Sequence, residues 1–205
     1  MDWLQRRKNK GLRIVKKIDM KNVESPNFWK TRASQRIKGV VIHVSGKSYD
    51  DAIKCYLDPE SGKSNHLVIS KTGDVTKMVN YQDSALHIDK VYYPKWKGVV
   101  DGISPNRTTI GIECEGERGE TWTEPQMKAL CVCVKEILAS AELLVSRYTI
   151  VSPDEIASDA EGTKLWANEV VERLTGHVEG KKTPPKEKLE KVVKLLNEVL
   201  EEGMF

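Results

Sequence analysis

No segment of this 205-residue chain approaches the roughly 20 consecutive apolar residues that a membrane-spanning helix requires. The first ten residues, MDWLQRRKNK, are basic but have no apolar stretch behind them, so neither a secretory signal nor a membrane anchor is expected. Cysteine is scarce. Cys55, Cys114, Cys131 and Cys133 are too few and too irregularly spaced for a disulfide scaffold, and none forms a C-x-x-C pair, which favours a reducing, cytoplasmic-type compartment. Cys131 and Cys133 stand two apart on a helical pattern and cannot face one ligand together, so both read as packing residues. Histidine is equally rare: with only His43, His66, His87 and His177, a histidine-rich metal site has few ways to be built. Internal repeats and low-complexity segments are also missing.

What remains is ordinary globular composition, 39 % apolar and 31 % charged, sized for one domain of about 150 residues with appendages. Charge is unevenly placed. Residues 1–40 carry 12 Lys or Arg against 3 acids, which leaves 21 against 27 in the other 165 residues. The basic excess therefore belongs to an N-terminal arm, residues 1–24. It is suited to steering toward a polyanion such as nucleic acid, a membrane surface or a cell-wall polymer, and it reads equally as a solvated tail.

Val40-Val41-Ile42-His43-Val44 is a β-branched run that predicts a buried strand. Tyr49, Ala52, Ile53, Tyr56 and Leu57 follow at helical spacing. Residues 65–70 and 75–79, joined by Lys71-Thr72-Gly73-Asp74, predict a β-hairpin. A long irregular stretch, 81–107, precedes a further strand, Thr109 to Glu115; loops of that length in compact domains are often functional. Thr123-Glu124-Pro125-Gln126 predicts a capping box, opening a helix whose apolar residues recur from Met127 to Ala141. Residues 148–151 lead through Ser152-Pro153-Asp154 to a second helix around Leu165–Leu174. Residues 179–205 then read as a linker and an amphipathic helix that packs on the core or meets a protein partner. The order is that of an α/β domain with a mixed central β-sheet flanked by helices.

Alternation along the 109–115 strand puts Ile112 and Cys114 on one face and Glu113 on the other. An acid on a mostly apolar strand needs a partner or a cleft, because burying it alone is costly. His43 lies inside an apolar strand, His66 begins one, and His87 sits in a loop between Asp83 and Asp89.

Several segments, in order, resemble one family. Ser25-Pro26-Asn27-Phe28, Val41-Ile42-His43-Val44-Ser45, Ser64-Asn65-His66-Leu67-Val68-Ile69 with Thr72-Gly73-Asp74-Val75, Asp83-Ser84-Ala85-Leu86-His87, Asn106 to Glu113, and Trp122 to Gln126 are similar to successive motifs of the zinc-dependent N-acetylmuramoyl-L-alanine amidase type 2 and peptidoglycan-recognition-protein family, which includes phage endolysins. The resemblance spans roughly residues 25–175, within an amidase-like domain set at 25–178. It implies the family's α/β fold, peptidoglycan or a muropeptide as ligand, and a cytoplasmic or phage-associated setting. It also implies Glu113 as the catalytic carboxylate, His43 as the first zinc ligand, and His66, His87 and Asn106 on the substrate side. Tyr81, Tyr92, Tyr93 and Trp96 are available for stacking or as loop anchors.

The family pattern breaks at the metal. Its second zinc histidine falls where this chain has Ser152, and its third ligand falls near Asp159 to Gly162, where Asp159 and Glu161 are the available acids. A tetrahedral zinc site prefers better-defined nitrogen or sulfur ligands. The sequence therefore favours a non-catalytic or divergent amidase-like module, with no cofactor, that acts in binding or assembly. The alternative is an active amidase that cleaves the bond between N-acetylmuramic acid and L-alanine with zinc.

Overall fold

The computed structural model describes residues 18–44, 46–89, 91, 94–157 and 164–176. Among these residues the strands are β1 (Met20–Asn22), β2 (Phe28–Trp29), β3 (Gly39–His43), β4 (Leu67–Ile69), β5 (Val75–Lys77), β6 (Ser84–Ala85), β7 (Thr109–Cys114) and β8 (Ile150–Val151). The α-helices described with them are α1 (Tyr49–Leu57), α2 (Glu124–Ser140), α3 (Pro153–Ile156) and α4 (Lys164–Thr175). Six strands form one mixed sheet in the order β1-β5-β4-β7-β3-β8, and β2 pairs with β6 alone. Only the β4–β5 hairpin is antiparallel within the large sheet. The fold class read from the sequence is thus the observed one.

Parity decides which strand residues meet which layer. Val40, Ile42, Ile110, Ile112 and Cys114 face α2 and α4, where they pack with Leu130, Val134, Ile137, Ala167 and Val170 into the main core. On the opposite face, Val68 packs with Ala52 and Tyr56 of α1, and Val41 with Trp96, Val151 and Ile156. Gly111 and Glu113 alternate onto this second face. The register aligns His43 with Glu113 across the parallel β3–β7 pair. Both lie at the carboxyl ends of their strands, the edge where open α/β sheets place their ligands.

The helix at 124 starts as expected but its capping box is only half built. Thr123 Oγ1 accepts from Gln126 N at 3.3 Å, whereas the Gln126 side chain turns away and donates to the Glu115 carbonyl at 2.8 Å. That bond ties the first turn of α2 to the segment just beyond β7. The second predicted helix, around Leu165–Leu174, is α4, and a short helix the sequence reading did not separate, α3, occupies Pro153–Ile156. The basic arm up to residue 17, Tyr92, Tyr93, Asp159, Glu161, His177 and the 179–205 segment lie outside the described residues.

Candidate active site

A cavity of about 500 Å³ opens above the carboxyl ends of β3 and β7, with His43, Glu113, Tyr56, Asn65 and His87 in its wall. The acid found its partners on other elements. Glu113 Oε2 accepts from the Tyr56 hydroxyl at 2.9 Å and from Asn65 Nδ2 at 3.2 Å, while Asn65 Nδ2 also donates to the Tyr56 oxygen at 2.8 Å. Burial, reinforced by the negative charge of Glu113, holds the Tyr56 pKa well above its ordinary value, so the phenol keeps its proton and remains a donor.

Beside this cluster runs a chain of rings. Thr109 donates its hydroxyl proton to the Pro105 carbonyl at 2.7 Å, so Thr109 Oγ1 accepts from His87 Nε2 at 3.1 Å. His87 Nδ1 then accepts from His43 Nε2 at 3.0 Å. In this tautomer the lone pair of His43 is on Nδ1. Burial pushes the His43 pKa down to about 4 and that of His87 well below its usual value, with the neighbouring His43 and His66 adding to the effect on His87. Both rings are neutral near pH 7.

His66 and Asn106 stand behind the wall and do not line the cavity. His66 is fully buried: Gly111 N donates to Nδ1 at 3.0 Å, and the Arg32 guanidinium lies 2.9 Å from Nε2. Burial and the Arg32 charge bring its pKa down to about 3. Asn106 Oδ1 accepts from His87 N at 3.2 Å and Ile88 N at 2.9 Å, and its Nδ2 returns a bond to the Ile88 carbonyl at 3.0 Å. It fixes the backbone that presents His87. Arg32, itself buried, binds the carbonyls of Tyr81, Asn106, Arg107 and Thr109, so one guanidinium ties this loop to β7. Of the aromatic residues considered for stacking, Tyr81 and Trp96 do not line the cavity. Trp96 is a loop anchor whose indole N–H donates to the Tyr148 carbonyl at 2.7 Å.

Sequence reasoning passed over Tyr56 and Asn65 as partners of Glu113, and over the cavity's charged rim, Lys47, Lys63, Asp89 and Arg118. The available signal was the general demand of a buried acid for donors, which does not say where in the chain they come from.

At the far side of the cavity, β8 is followed by Ser152, which is fully buried. Its amide and its hydroxyl each donate to Glu155 Oε2 at 2.9 Å, and Arg147 Nη2 reaches the same oxygen at 2.6 Å. A serine closed into this cap replaces the nitrogen donor that the resemblance puts here. Among the described residues no three His, Cys, Asp or Glu side chains converge to hold a metal, so this part of the donor set does not fit tetrahedral zinc. Asp159 and Glu161 fall outside those residues.

A mixed sheet flanked by helices, with an acid-and-histidine cavity at the carboxyl ends of its central strands, defines an amidase-like α/β domain. Residues 33–165 match the family model for N-acetylmuramoyl-L-alanine amidases, and the chain belongs to that family. It is 27 % identical over 140 residues to the 1,6-anhydro-N-acetylmuramyl-L-alanine amidase AmpD of Haemophilus influenzae, a match covering 60 % of this chain and 73 % of that protein. Among solved structures, an AmpD derivative superposes with a TM-score of 0.56 at 18 % identity, covering 71 % of this chain and 90 % of the other. The amidase AmiD from E. coli, in complex with anhydro-N-acetylmuramic acid-L-Ala-D-γ-Glu-L-Lys, gives 0.56 at 20 % identity over 68 % of this chain and 58 % of AmiD. A mutant endolysin from Bacillus subtilis gives 0.57 at 12 % identity, covering 77 % and 99 %. These likenesses establish the fold.

Proposed function

We propose that this domain binds a muropeptide in the cavity above β3 and β7 and holds it without the zinc-assisted hydrolysis of its family. The observation that carries this reading is the cap formed by Ser152, Glu155 and Arg147 at the position of the second zinc histidine. The ligand class is supported by the family and by the muropeptide named in the AmiD complex. In this reading Glu113, oriented by the Tyr56 and Asn65 donors, and His43 Nδ1 act as acceptors for amide N–H groups of the ligand. A zinc amidase is the second reading, supported by the register that sets His43 beside Glu113.

Titration of the full chain with anhydro-N-acetylmuramyl-L-Ala-D-γ-Glu-L-Lys by calorimetry, with metal content and release of free peptide measured on the same sample, separates the two. Saturable binding with no turnover and substoichiometric zinc is expected. One zinc per chain with chelator-sensitive peptide release overturns the binding-module reading and directs the search for ligands to Asp159 and Glu161.

A further inference from the structure

Outside the cavity wall, one tryptophan stands open among cations. Parity in the small β2–β6 ribbon turns Phe28 inward, against the cluster of Ala52, Val68 and Ala85, and so turns Trp29 outward with 40 % of its surface exposed. Arg107, from the short turn before β7, lays its guanidinium over the indole, with Cζ 4.7 Å from the ring centroid. Its Nη1 donates to the carbonyls of Thr31 at 2.6 Å and Lys30 at 3.3 Å. Among the described residues its Nε and Nη2 have no acceptor. The ring is thus fixed by a cation on one side and still presents aromatic surface to solvent.

The charge around it has one sign. Residues 28–38 contain Lys30, Arg32, Arg36 and Lys38 and no acid. Arg32 is turned into the protein, and Lys30 pairs with the buried Asp83 at 3.6 Å. Arg36, Lys38 and Arg107 make no ion pair among the described residues. Lys38 is tied beside the Arg107 turn, because its amide donates to the Thr108 carbonyl at 2.7 Å. The intervening loop is held in one shape. Thr31, Ala33 and Ser34 have left-handed backbones, with φ of 57°, 48° and 63°, a conformation that is costly for residues with a Cβ. It persists because Thr31 N donates to Asp83 Oδ1 at 2.8 Å, Ser84 Oγ donates to the Thr31 carbonyl at 3.0 Å, and Arg32 anchors the loop from inside. A braced loop loses little freedom when it binds.

We propose that Trp29, backed by Arg107, is a stacking site for one base of a single-stranded nucleic acid, with the flanking phosphates met by Arg107, Arg36 and Lys38. Every base has a π-face to lay against the open indole, and a single strand, unlike a duplex, is free to present it. A run of phosphates matches cations that no neighbouring acid neutralises, and the free Nε and Nη2 of Arg107 are suited to a phosphate oxygen beside the stacked base. An anionic polymer without bases would meet the same cations and make no use of the ring. None of these residues lines the cavity above β3 and β7, so the site is independent of the muropeptide reading.

The test is fluorescence anisotropy of two labelled strands titrated with the full chain: an oligothymidylate of about twelve nucleotides and an abasic strand of the same length. The oligothymidylate is expected to bind about tenfold tighter, the scale of one stacked base. Trp29→Ala should remove that preference, and Trp29→Tyr, which keeps a ring, should restore most of it. In the Arg36→Gln and Lys38→Gln double variant the slope of log Kd against log salt should flatten by about 1.4, the release of counterions from two phosphates. Equal binding of both strands to the unaltered protein overturns the stacking site, as does a preference that survives Trp29→Ala. Binding of neither strand overturns the nucleic-acid reading altogether.

Discussion

The two sides of the cavity have been finished in different ways. On the β7 side, a buried acid, phenol and amide sit beside two half-buried neutral imidazoles, each oriented by another, with a guanidinium behind them. On the β8 side the polar groups are consumed locally: Ser152, Glu155 and Arg147 lie within eight residues of one another and close on a single carboxylate oxygen. The first arrangement brings groups from distant segments to one place and leaves them facing a cavity. The second caps a short helix and leaves little to offer a ligand. A long-range polar cluster is costly to keep and is sensitive to loss of any member, whereas a local cap is cheap and replaceable.

The largest expected break in that contrast is acid. His43 and His66 have folded-state values near 4 and 3 against an ordinary 6.5, and His87 is shifted in the same direction. The unfolded chain therefore takes up protons before the folded one does. Stability is fully present above about pH 6.5 and is lost as pH falls through 6.5 toward 4 and 3. The loss is on the order of a few kcal/mol, because protonating His66 would set an N–H against the Gly111 amide and a second cation against Arg32. Urea midpoints taken from pH 7 to pH 4.5 should fall steadily. A flat profile between pH 7 and 5 would show that these rings are not held neutral.

A smaller break comes from one methyl group. A Cβ on Gly111 would lie 2.2 Å from Asn65 Oδ1 and 2.6 Å from His87 Cγ. Asn65 Oδ1 is buried without a hydrogen bond, so nothing else holds that oxygen and the amide would be driven off Glu113. Gly111→Ala should cost about 1–3 kcal/mol by overpacking. It should also weaken muropeptide binding by more than the stability loss explains, which is checked by calorimetry at a temperature where the variant is fully folded. Unchanged affinity would detach the Asn65–Glu113 contact from ligand binding.

The contrast also marks how far the sequence could be read. Strand periodicity located β3 and β7, and parity alone turned Glu113 away from Ile112 and Cys114; both readings rest on local pattern, which is what a single sequence displays. Ordered motifs pointed to the family, and the Ser152 position stood out because a residue was missing from a pattern. Long-range pairings were not legible. Tyr56 looked like one more apolar position on a helix, Asn65 like the lead into a hairpin, and Arg32 like one more charge in the basic first 40 residues, yet their partners lie 57, 48 and 77 residues away. His66 carried a site-like motif but is buried on both ring nitrogens, because a motif specifies a residue's neighbours in sequence and not what packs over it.

The smallest expected effect tests the β8 side by itself. Ser152→Ala removes one hydroxyl donor from Glu155, whose Oε2 keeps the Ser152 amide and Arg147. Because a cap with two remaining donors is only partly undone, the cost should be about 1 kcal/mol in urea unfolding. Muropeptide affinity should stay within about twofold, since Ser152 does not line the cavity. If the substitution instead weakens binding tenfold with only that small loss of stability, the serine hydroxyl is reaching the ligand, and the β8 side is part of the binding surface after all.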